Sequence, residues 1–513
     1  MKNTKNFYIT TPIFYPNNQL HLGHSYTVTI ADIIARYKKM QGYNVYLQTG
    51  SDEHGEKIAK TAIANNLTAQ ELVDKNVLLF KKLWKELNII EDHFFMRTSF
   101  DFHKKSVQNI FETLLKKGDI YFGKYKGNYC IICEEYILDS KTNKEEKNVC
   151  PFCRSDLKQI EEDAYFLKIE KYRKKLICHY EEEKNFLSPE KSVNELFQSF
   201  LNKEIPDLCV TRNDLSWGIE VPEKKGMTIY VWFDALCNYL TSKEGEIFFS
   251  EKNIKNNEDE IVQVIGKDIL RFHAVYWISL LFALEKKIPK KLISHGWILN
   301  SGSKMSKSKG NVIDPLSLLN KYESDVLRAY FAGKISLYQD GILDEQLLDN
   351  FYKNFFIKDL GNLFSRVYKM TDLYVKREVP KFNRSENEYL SNYYEQCKKT
   401  LENYENLMNN YQITSAFNEI QFLITESNKL ISNISPWKLF ENKNNDLINE
   451  TLNYLLNGIK IIAFLLAPIS PKISEKIINH LGIEIEDLNF KNVENFKIIE
   501  GKKLKELKNH FFL

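Results

Sequence analysis

The sequence predicts an α/β chain with a mostly parallel sheet, broken by a cysteine-bearing stretch and followed by an α-helical bundle. Three observations carry this. From Asn6 to about Ile120, short apolar runs alternate with segments of helical period, the mark of successive βα units. Two Cys-x-x-Cys pairs interrupt the alternation, which resumes at Met227–Phe233, Ile261–Ile265 and Lys291–His295. From about Asn350 glycine nearly disappears and long helical periods take over, as in Tyr404–Lys429 and Asp446–Leu466.

In order, Phe7–Thr10 reads as a strand, His21-Leu22-Gly23-His24 as a turn, and Ser25 to Met40 as a helix. Val45–Thr49 is the next strand, and helices follow around Thr68–Leu87 and His103–Lys117. Gly23 lets a base or ribose lie against the backbone, where a side chain would collide. His21 and His24 can donate to phosphate oxygens at a helix N-terminus, where amide groups already favour anions. Far downstream, Lys304-Met305-Ser306-Lys307-Ser308 puts two lysines in a Ser/Gly-rich loop (Ser301 to Gly310) suited to neutralising a polyphosphate. Singly, the histidines also suit a metal site or a satisfied core pair, and the loop a solvated basic turn. Together, in this order, they describe a nucleotide site built from two distant pieces of one sheet. A zinc peptidase is excluded, because its helix needs histidines at i and i+4 with a glutamate between.

Four of the eight cysteines are patterned: Cys130-x-x-Cys133 and Cys150-x-x-Cys153, separated by a polar stretch. Two such knuckles bring four thiolates around one tetrahedral Zn²⁺ and leave no open position, so the zinc is structural. A redox pair or a disulfide framework does not suit a large cytosolic chain. Cys178, Cys209, Cys237 and Cys397 have no partner spacing and read as ordinary packed thiols.

At 513 residues the chain is too long for one ordinary core, and 43% hydrophobic with 27% charged residues is usual for a soluble globular protein. A net charge of +3 means that a nucleic-acid partner would need a local basic face. No run reaches the length of a membrane span, and Met1–Asn6 lacks the apolar core of a secretory signal. The expected location is the cytoplasm. The lysine-rich stretch from Lys502 to Lys508 reads as a solvated helix face.

The two signatures, in this order, resemble those of the class I aminoacyl-tRNA synthetases. Longer strings bring nearly the whole chain close to the methionyl-tRNA synthetase family: Tyr8-Ile-Thr-Thr-Pro-Ile-Phe-Tyr-Pro-Asn17, Gly50-Ser-Asp-Glu-His-Gly55, Tyr230-Val-Trp-Phe-Asp-Ala-Leu236, Gly266-Lys-Asp-Ile-Leu-Arg-Phe-His273 and His295-Gly-Trp297. Leu22 stands where the broader class often has Ile, an apolar exchange without consequence for phosphate contacts. The resemblance implies a doubly wound Rossmann-like catalytic domain split by a zinc-bearing connective insertion, then an α-helical bundle that binds an anticodon. The expected segments are 1–120 and 227–300 for the two catalytic halves, 121–226 for the insertion, 301–349 for the lysine loop and stem-contact segment, and 350–513 for the bundle.

The implied reaction is activation of L-methionine by ATP to methionyl-adenylate and pyrophosphate. Transfer to the 3′-terminal ribose of tRNA(Met), initiator and elongator, follows. On the resemblance, His21, Gly23, His24, Gly266, Lys304 and Lys307 serve ATP, Glu220 and Asp268 lie near the ribose, and Arg212 stands at the reacting centre. Mg²⁺ is expected with ATP. No protein nucleophile is needed, since positioning and charge stabilisation suffice. A methionine side chain is flexible, apolar and polarisable and needs an aromatic slot. Tyr15, Trp232, Ala235, Leu236, Tyr239, His273 and Trp277 can supply one, with Ile13 as a wall and Asp52 for the substrate ammonium. Trp232, Ala235, Leu236 and Tyr239 have helical spacing, as do His273 and Trp277; without the resemblance such a set is plain core. Asn362, Arg366 and Trp437 match family positions that read the CAU anticodon, and would otherwise be an ordinary surface face and a packed ring. The chain ends shortly after the bundle, from which a monomer is expected. The short insertion opposes the branched-chain synthetases, which carry a large editing insertion. The closed cysteine set opposes the cysteine enzyme, and intact His21, His24, Lys304 and Lys307 oppose a non-catalytic RNA-binding descendant.

Overall fold

The computed structural model describes residues 5–16, 20–130, 135–137, 148–150, 155–213, 215–254, 259–300, 303–304 and 313–506. Its centre is a six-stranded sheet of β1 (Asn6–Phe14), β2 (Asn44–Ser51), β3 (Phe94–Arg97), β4 (Leu187–Ser188), β5 (Glu260–Gly266) and β6 (Lys291–His295), in the order β3-β2-β1-β5-β6-β4. Every pairing is parallel, with Phe7 opposite both Val45 and Glu260. Such a sheet is covered on both faces, which explains the unbroken apolar runs. The two-residue side-chain period sorts those runs. Phe7, Ile9, Val262, Val264 and Ile293 join one core, and Tyr8, Ile261, Ile265 and Leu292 join the other.

The helices that matter for the site are α1 (Leu22–Met40), α2 (Ala69–Glu86), α3 (Asp101–Lys116), α4 (Val231–Thr241) and α5 (Ser324–Lys334). The bundle follows as α6 (Asn362–Val375), α7 (Glu388–Asn409), α8 (Ile413–Ile434), α9 (Pro436–Glu441), α10 (Asn445–Leu466) and α11 (Pro471–His480). The first sheet core runs without a break through α1 into the bundle, as far as Leu504. Among the described residues, no helix is long and apolar enough to cross a membrane.

Three expectations are corrected. Met227–Phe233 is not a strand of the parallel sheet: Met227–Ile229 pairs antiparallel with Thr211–Asn213, and the chain turns into α4 after an extended Tyr230. The helical spacing of Phe233, Cys237 and Leu240, all buried, overrides the short apolar run. Tyr404–Lys429 is two helices, not one. They are separated at Tyr411, whose φ is +58°. The Asn409-Asn410 pair ends α7, where the Asn410 amide caps the carbonyl of Asn406 at 2.9 Å. Last, Leu187–Ser188, from within the expected insertion, forms an edge strand of the main sheet.

That stretch also contributes to a four-stranded antiparallel sheet of Glu135–Ile137, Ile120–Cys130, Lys158–Leu167 and Leu208–Cys209. Its long hairpin pairs Ile120 with Leu167 and Tyr129 with Lys158.

A buried ion pair joins the sheet domain to the bundle. Arg328 of α5 and Asp32 of α1 are both 0% exposed, with Nη2 and Oδ2 2.6 Å apart. Arg328 also donates to the carbonyls of Ile469 (2.8 Å), Pro468 (2.9 Å) and Leu87 (3.3 Å). Asp32 accepts from Arg36 at 2.7 Å and from the Ile90 amide at 2.8 Å. Burial would raise its carboxyl, but the two guanidinium groups and the amide hold it below the usual range.

Candidate active site

Connections from β1 lead to one side of the sheet and those from β5 to the other, so the strand order reverses between them. Ligands of such sheets bind at the carboxyl ends of the strands at this reversal. His21 stands there as the extended N-cap of α1, with φ −143°. The rings of His21 and His24 stack with centroids 3.6 Å apart. The His21 amide donates to His24 Nδ1 at 3.3 Å, which puts the His24 ring proton on Nε2. A side chain at position 23 would press on the His21 ring at 3.0 Å, so Gly23 keeps this surface flat.

The end of β6 is tied to the same turn. Thr27 Oγ1 lies 2.9 Å from the Gly23 carbonyl and 2.8 Å from His295 Nε2. Gly266 ends β5 beside it: a Cβ there would meet Asp268 Oδ1 at 2.6 Å and would lie 3.7 Å from His295 Cε1. Asp268 accepts from the Trp297 indole at 3.2 Å. The structure thus brings His21, Gly23, His24, Gly266 and Asp268 to one end of the sheet. It adds His295 and Trp297, which lay in a quoted string but had no assigned role.

Beside this lies a buried aromatic cluster. The Tyr239 hydroxyl donates to His273 Nε2 at 2.8 Å, and His273 Nδ1 donates to the Ile269 carbonyl at 3.0 Å. Burial pushes the His273 imidazolium down to about 4, so the ring is neutral at pH 7. Trp277 packs 5.1 Å from the Tyr239 ring and donates to Gln263 at 2.8 Å. Trp232 stacks on Phe272 at 3.6 Å, and Ala235 and Leu236 are buried on α4. Asp52 follows β2, its amide held by the Phe14 carbonyl at 2.9 Å. Ile13 faces Gly50, where a Cβ would meet its Cγ2 at 2.9 Å. Tyr15 packs in a separate small cluster with Ile58, Val73 and Trp217.

Sequence reasoning missed a polar lattice behind this pocket. Asp234 of α4 is 1% exposed, and both carboxylate oxygens are used. His54 Nδ1 lies 2.7 Å from Oδ2 and His103 Nε2 lies 2.6 Å from Oδ1. Burial opposes the charge, yet the histidines hold the carboxyl at about 2. Next to Asp52, Glu53 takes a two-point contact from Arg97 (2.6 and 3.0 Å), and its carbonyl takes the Trp217 indole at 2.5 Å. A carboxylate inside the apolar run of α4 was the available signal, since buried charges need partners.

The remaining expected residues lie elsewhere or outside the description. Arg212 sits on the Thr211–Asn213 strand, 3.1 Å from Glu162, with its guanidinium 4.0 Å from the Tyr129 ring centroid. Glu220 bridges Thr228 and its side chain is exposed, while its carbonyl accepts from Gln108 at 2.9 Å. Lys304 is described only as backbone, paired with Leu299, and Lys307 lies outside the described residues. Cys133 and Cys153 also lie outside them. Cys130 and Cys150 are each 0% exposed and pack together beside Leu157. The Cys150 amide donates to the Ser155 carbonyl at 2.8 Å.

In the bundle, Asn362 is exposed at the start of α6, and Arg366 one turn on donates to Asn428 at 3.3 Å. Trp437 is 42% exposed on α9, which starts at Pro436 after a left-handed Ser435 (φ +50°).

Comparison with known proteins matches the chain from end to end. The family described as class I (M) tRNA synthetases covers residues 7–161 and 148–368, and the anticodon binding domain of methionyl tRNA ligase covers 379–509. The methionine–tRNA ligase of Ureaplasma parvum is 37% identical over all of this chain and 98% of its own length. That of Clostridium tetani is 38% identical over 94% of this chain and 75% of its own. A solved structure of Mycobacterium tuberculosis methionyl-tRNA synthetase in complex with methionyl-adenylate superposes with a TM-score of 0.92 at 30% identity, over 99% of this chain and 100% of that one.

Proposed function

The chain belongs to the methionyl family of class I aminoacyl-tRNA synthetases, and from that premise we propose how its residues divide the work. It activates L-methionine with ATP, releases pyrophosphate, and transfers the methionyl group to tRNA. The observation that carries the division of roles is the junction of two sites at one sheet end. The flat turn at Gly23, with its stacked histidines, adjoins Gly266, Asp268 and His295, and next to it lies the pocket of Tyr239, His273 and Trp277.

The pocket chemistry suits a thioether. A neutral His273 that accepts from Tyr239 presents a polarised but uncharged wall, beside the rings of Trp232 and Trp277. Methionine sulfur is a weak acceptor and a good partner for ring edges. Asp52 pairs with the substrate ammonium, with Ile13, Ala235 and Leu236 closing the slot; Tyr15 packs apart from it, with Ile58, Val73 and Trp217. The substrate carboxylate then attacks the α-phosphorus and the bond to pyrophosphate breaks. His21 and His24 donate to the phosphates, Asp268 accepts from the ribose, and Lys304 and Lys307 neutralise charge; Arg212, held against Glu162 and Tyr129, and Glu220, exposed beside Thr228, stand away from this sheet end and receive no part in the step. The charge on pyrophosphate grows as it leaves, so these contacts act mostly in the transition state. Mg²⁺ enters with ATP and supplies further charge neutralisation.

Zn²⁺ fits the insertion: two buried cysteines twenty residues apart pack together beside Leu157, as the first thiolates of a four-thiolate knuckle would. Cys130, Cys133, Cys150 and Cys153 would hold it, and it would supply folding free energy. For tRNA, Asn362, Arg366 and Trp437 read the CAU anticodon. The bond it donates to Asn428 orients the guanidinium of Arg366, and the exposed Trp437 ring offers a stacking face. The reading assigns the work to a single chain in the cytoplasm, where translation consumes charged tRNA; sedimentation checks the first point.

ATP–pyrophosphate exchange with each amino acid supplied separately tests the whole reading. Exchange should depend on methionine. Exchange driven equally by another amino acid, or none with methionine, would overturn it.

A further inference from the structure

The short helix α9 shows two rings to water. Trp437 and Phe440 are three residues apart, hence on one side of the helix, and are 42% and 46% exposed. Burying half a phenyl ring would have been favourable, so Phe440 is unlike the phenylalanines that build the bundle core. The ring stacks face to face on Tyr374, with centroids 4.6 Å apart and planes at 24°. Tyr374 belongs to α6, the helix that begins with Asn362 and carries Arg366. The stack therefore spans the two helices on which the anticodon residues stand. One face of the Phe440 ring is covered by Tyr374, and the exposure belongs to the other face and the edges. Lys376 just after α6 and Lys438 and Lys443 on and after α9 are exposed, against the neighbouring exposed carboxylate of Glu441, whose charge reaches Tyr374; the lysines outnumber it, a balance that favours phosphate.

We propose that Phe440, backed by Tyr374, is a second stacking platform for an unpaired base of the anticodon loop, next to Trp437. This rests on the anticodon reading given above and adds a residue to it. The physical case is continuity and preorganisation. A base leaving Trp437 meets another open ring on the same side of the same helix. That ring is already held in place by its partner, so little rotamer freedom is lost on binding. Every base has a π face, so such a platform serves affinity and loop shape more than base identity.

The test compares Phe440→Leu, Phe440→Tyr and Trp437→Ala in aminoacylation of a full-length tRNA(Met) transcript, each set against its own methionine-dependent pyrophosphate exchange. Leucine keeps the apolar bulk against Tyr374 but removes the π face. Phe440→Leu should raise KM for tRNA about 5- to 150-fold relative to any change in exchange, the range of one lost base stack. Phe440→Tyr should restore KM to within about threefold of the unaltered protein, as any aromatic ring would. An unchanged tRNA KM in Phe440→Leu, with a clear defect in Trp437→Ala, overturns the platform and leaves the anticodon reading standing. It would also mean that the patch serves something other than this RNA. No charging defect in Trp437→Ala overturns the anticodon reading itself. Equal losses of exchange and charging in Phe440→Leu overturn the platform too, because the ring would then be a packing residue.

Discussion

Asp234 has no contact assigned with substrate, yet its removal should be felt as lost methionine affinity. The carboxylate joins three pieces: α4, which carries Trp232, Ala235, Leu236 and Tyr239, the 52–55 loop through His54, and α3 through His103. Asp234→Asn keeps the shape and removes the charge. Two histidine N–H groups now face one amide oxygen and one amide NH₂, so one contact is lost unless a ring changes tautomer. A buried hydrogen bond to a charged group contributes about 1.5–3 kcal/mol. Linkage gives a second figure. Moving this carboxyl from 3.8 to about 2 corresponds to roughly 2–3 kcal/mol. The sign follows from the direction: the stability is fully present above pH 3.8 and is lost as pH falls through about 2. The variant should lack this acid-dependent part. With the loop and α4 no longer held in register, Asp52 and Tyr239 shift relative to each other, and a displacement near 1 Å at a reacting centre costs about 10²-fold. The assay is pyrophosphate exchange at varied methionine and varied ATP. KM for methionine should rise at least about tenfold, with KM for ATP changing far less. A variant that is less stable to heat but has an unchanged methionine KM would refute the argument, since the lattice would then serve folding alone.

Cys150→Ser should lower bound zinc from one per chain and destabilise the insertion; structural zinc contributes on the order of 10 kcal/mol in isolated modules. One tightly bound zinc with all four cysteines freely alkylated in the native protein would contradict the assignment. Lys307→Ala should slow adenylate formation about 10²–10³-fold with little change in methionine binding, and full exchange activity would remove the lysine loop from the mechanism. For His273, burial lowers the folded value from 6.5 to about 4, so between these limits the unfolded chain binds the extra proton. Its stabilising contribution is therefore complete above pH 6.5 and falls by about 3 kcal/mol on acidification to pH 4. The stability difference between His273→Gln and the unaltered protein should shift by that amount over the same interval, as followed by denaturant titration; a constant difference would mean that the ring is not held neutral.

What could be read from the chain follows from what leaves a local trace. Phe7–Thr10 and Val45–Thr49 announce strands because a parallel sheet buries both faces, and each proves to be part of a longer strand. The histidine turn stands out because a small set of residues recurs at fixed spacing before a helix. Leu187–Ser188 has no such trace, since two residues carry no period, and only the pairing with β6 makes them a strand. The α7–α8 break is silent because apolar residues keep helical spacing on either side of Tyr411. Met227–Phe233 misleads because five consecutive apolar residues precede Asp234, and a helix start and a strand look alike over that length. Least visible were the pairings between distant charges. His54, His103 and Asp234 are far apart in the chain, and only the fold brings them to 2.6–2.7 Å.

The Arg328–Asp32 pair gives the enzyme a fixed gauge. Asp32 lies midway along α1, whose 19 residues span about 28 Å and whose first turn holds the stacked histidines. Arg328 grips the carbonyls of Pro468 and Ile469 in the link between α10 and α11. The bundle is thus clamped to the very helix that presents the nucleotide site. Breaking one partner of such a pair costs about 3–5 kcal/mol, so the separation between the two ends of the molecule is not easily adjusted. On the proposed anticodon reading, an RNA held at both Trp437 and the adenylate would have to bring its two ends to that set distance. One whose stem is a few base pairs short could hold on at the anticodon and still fail to deliver its terminal ribose, so the clamp turns molecular length into a criterion for charging.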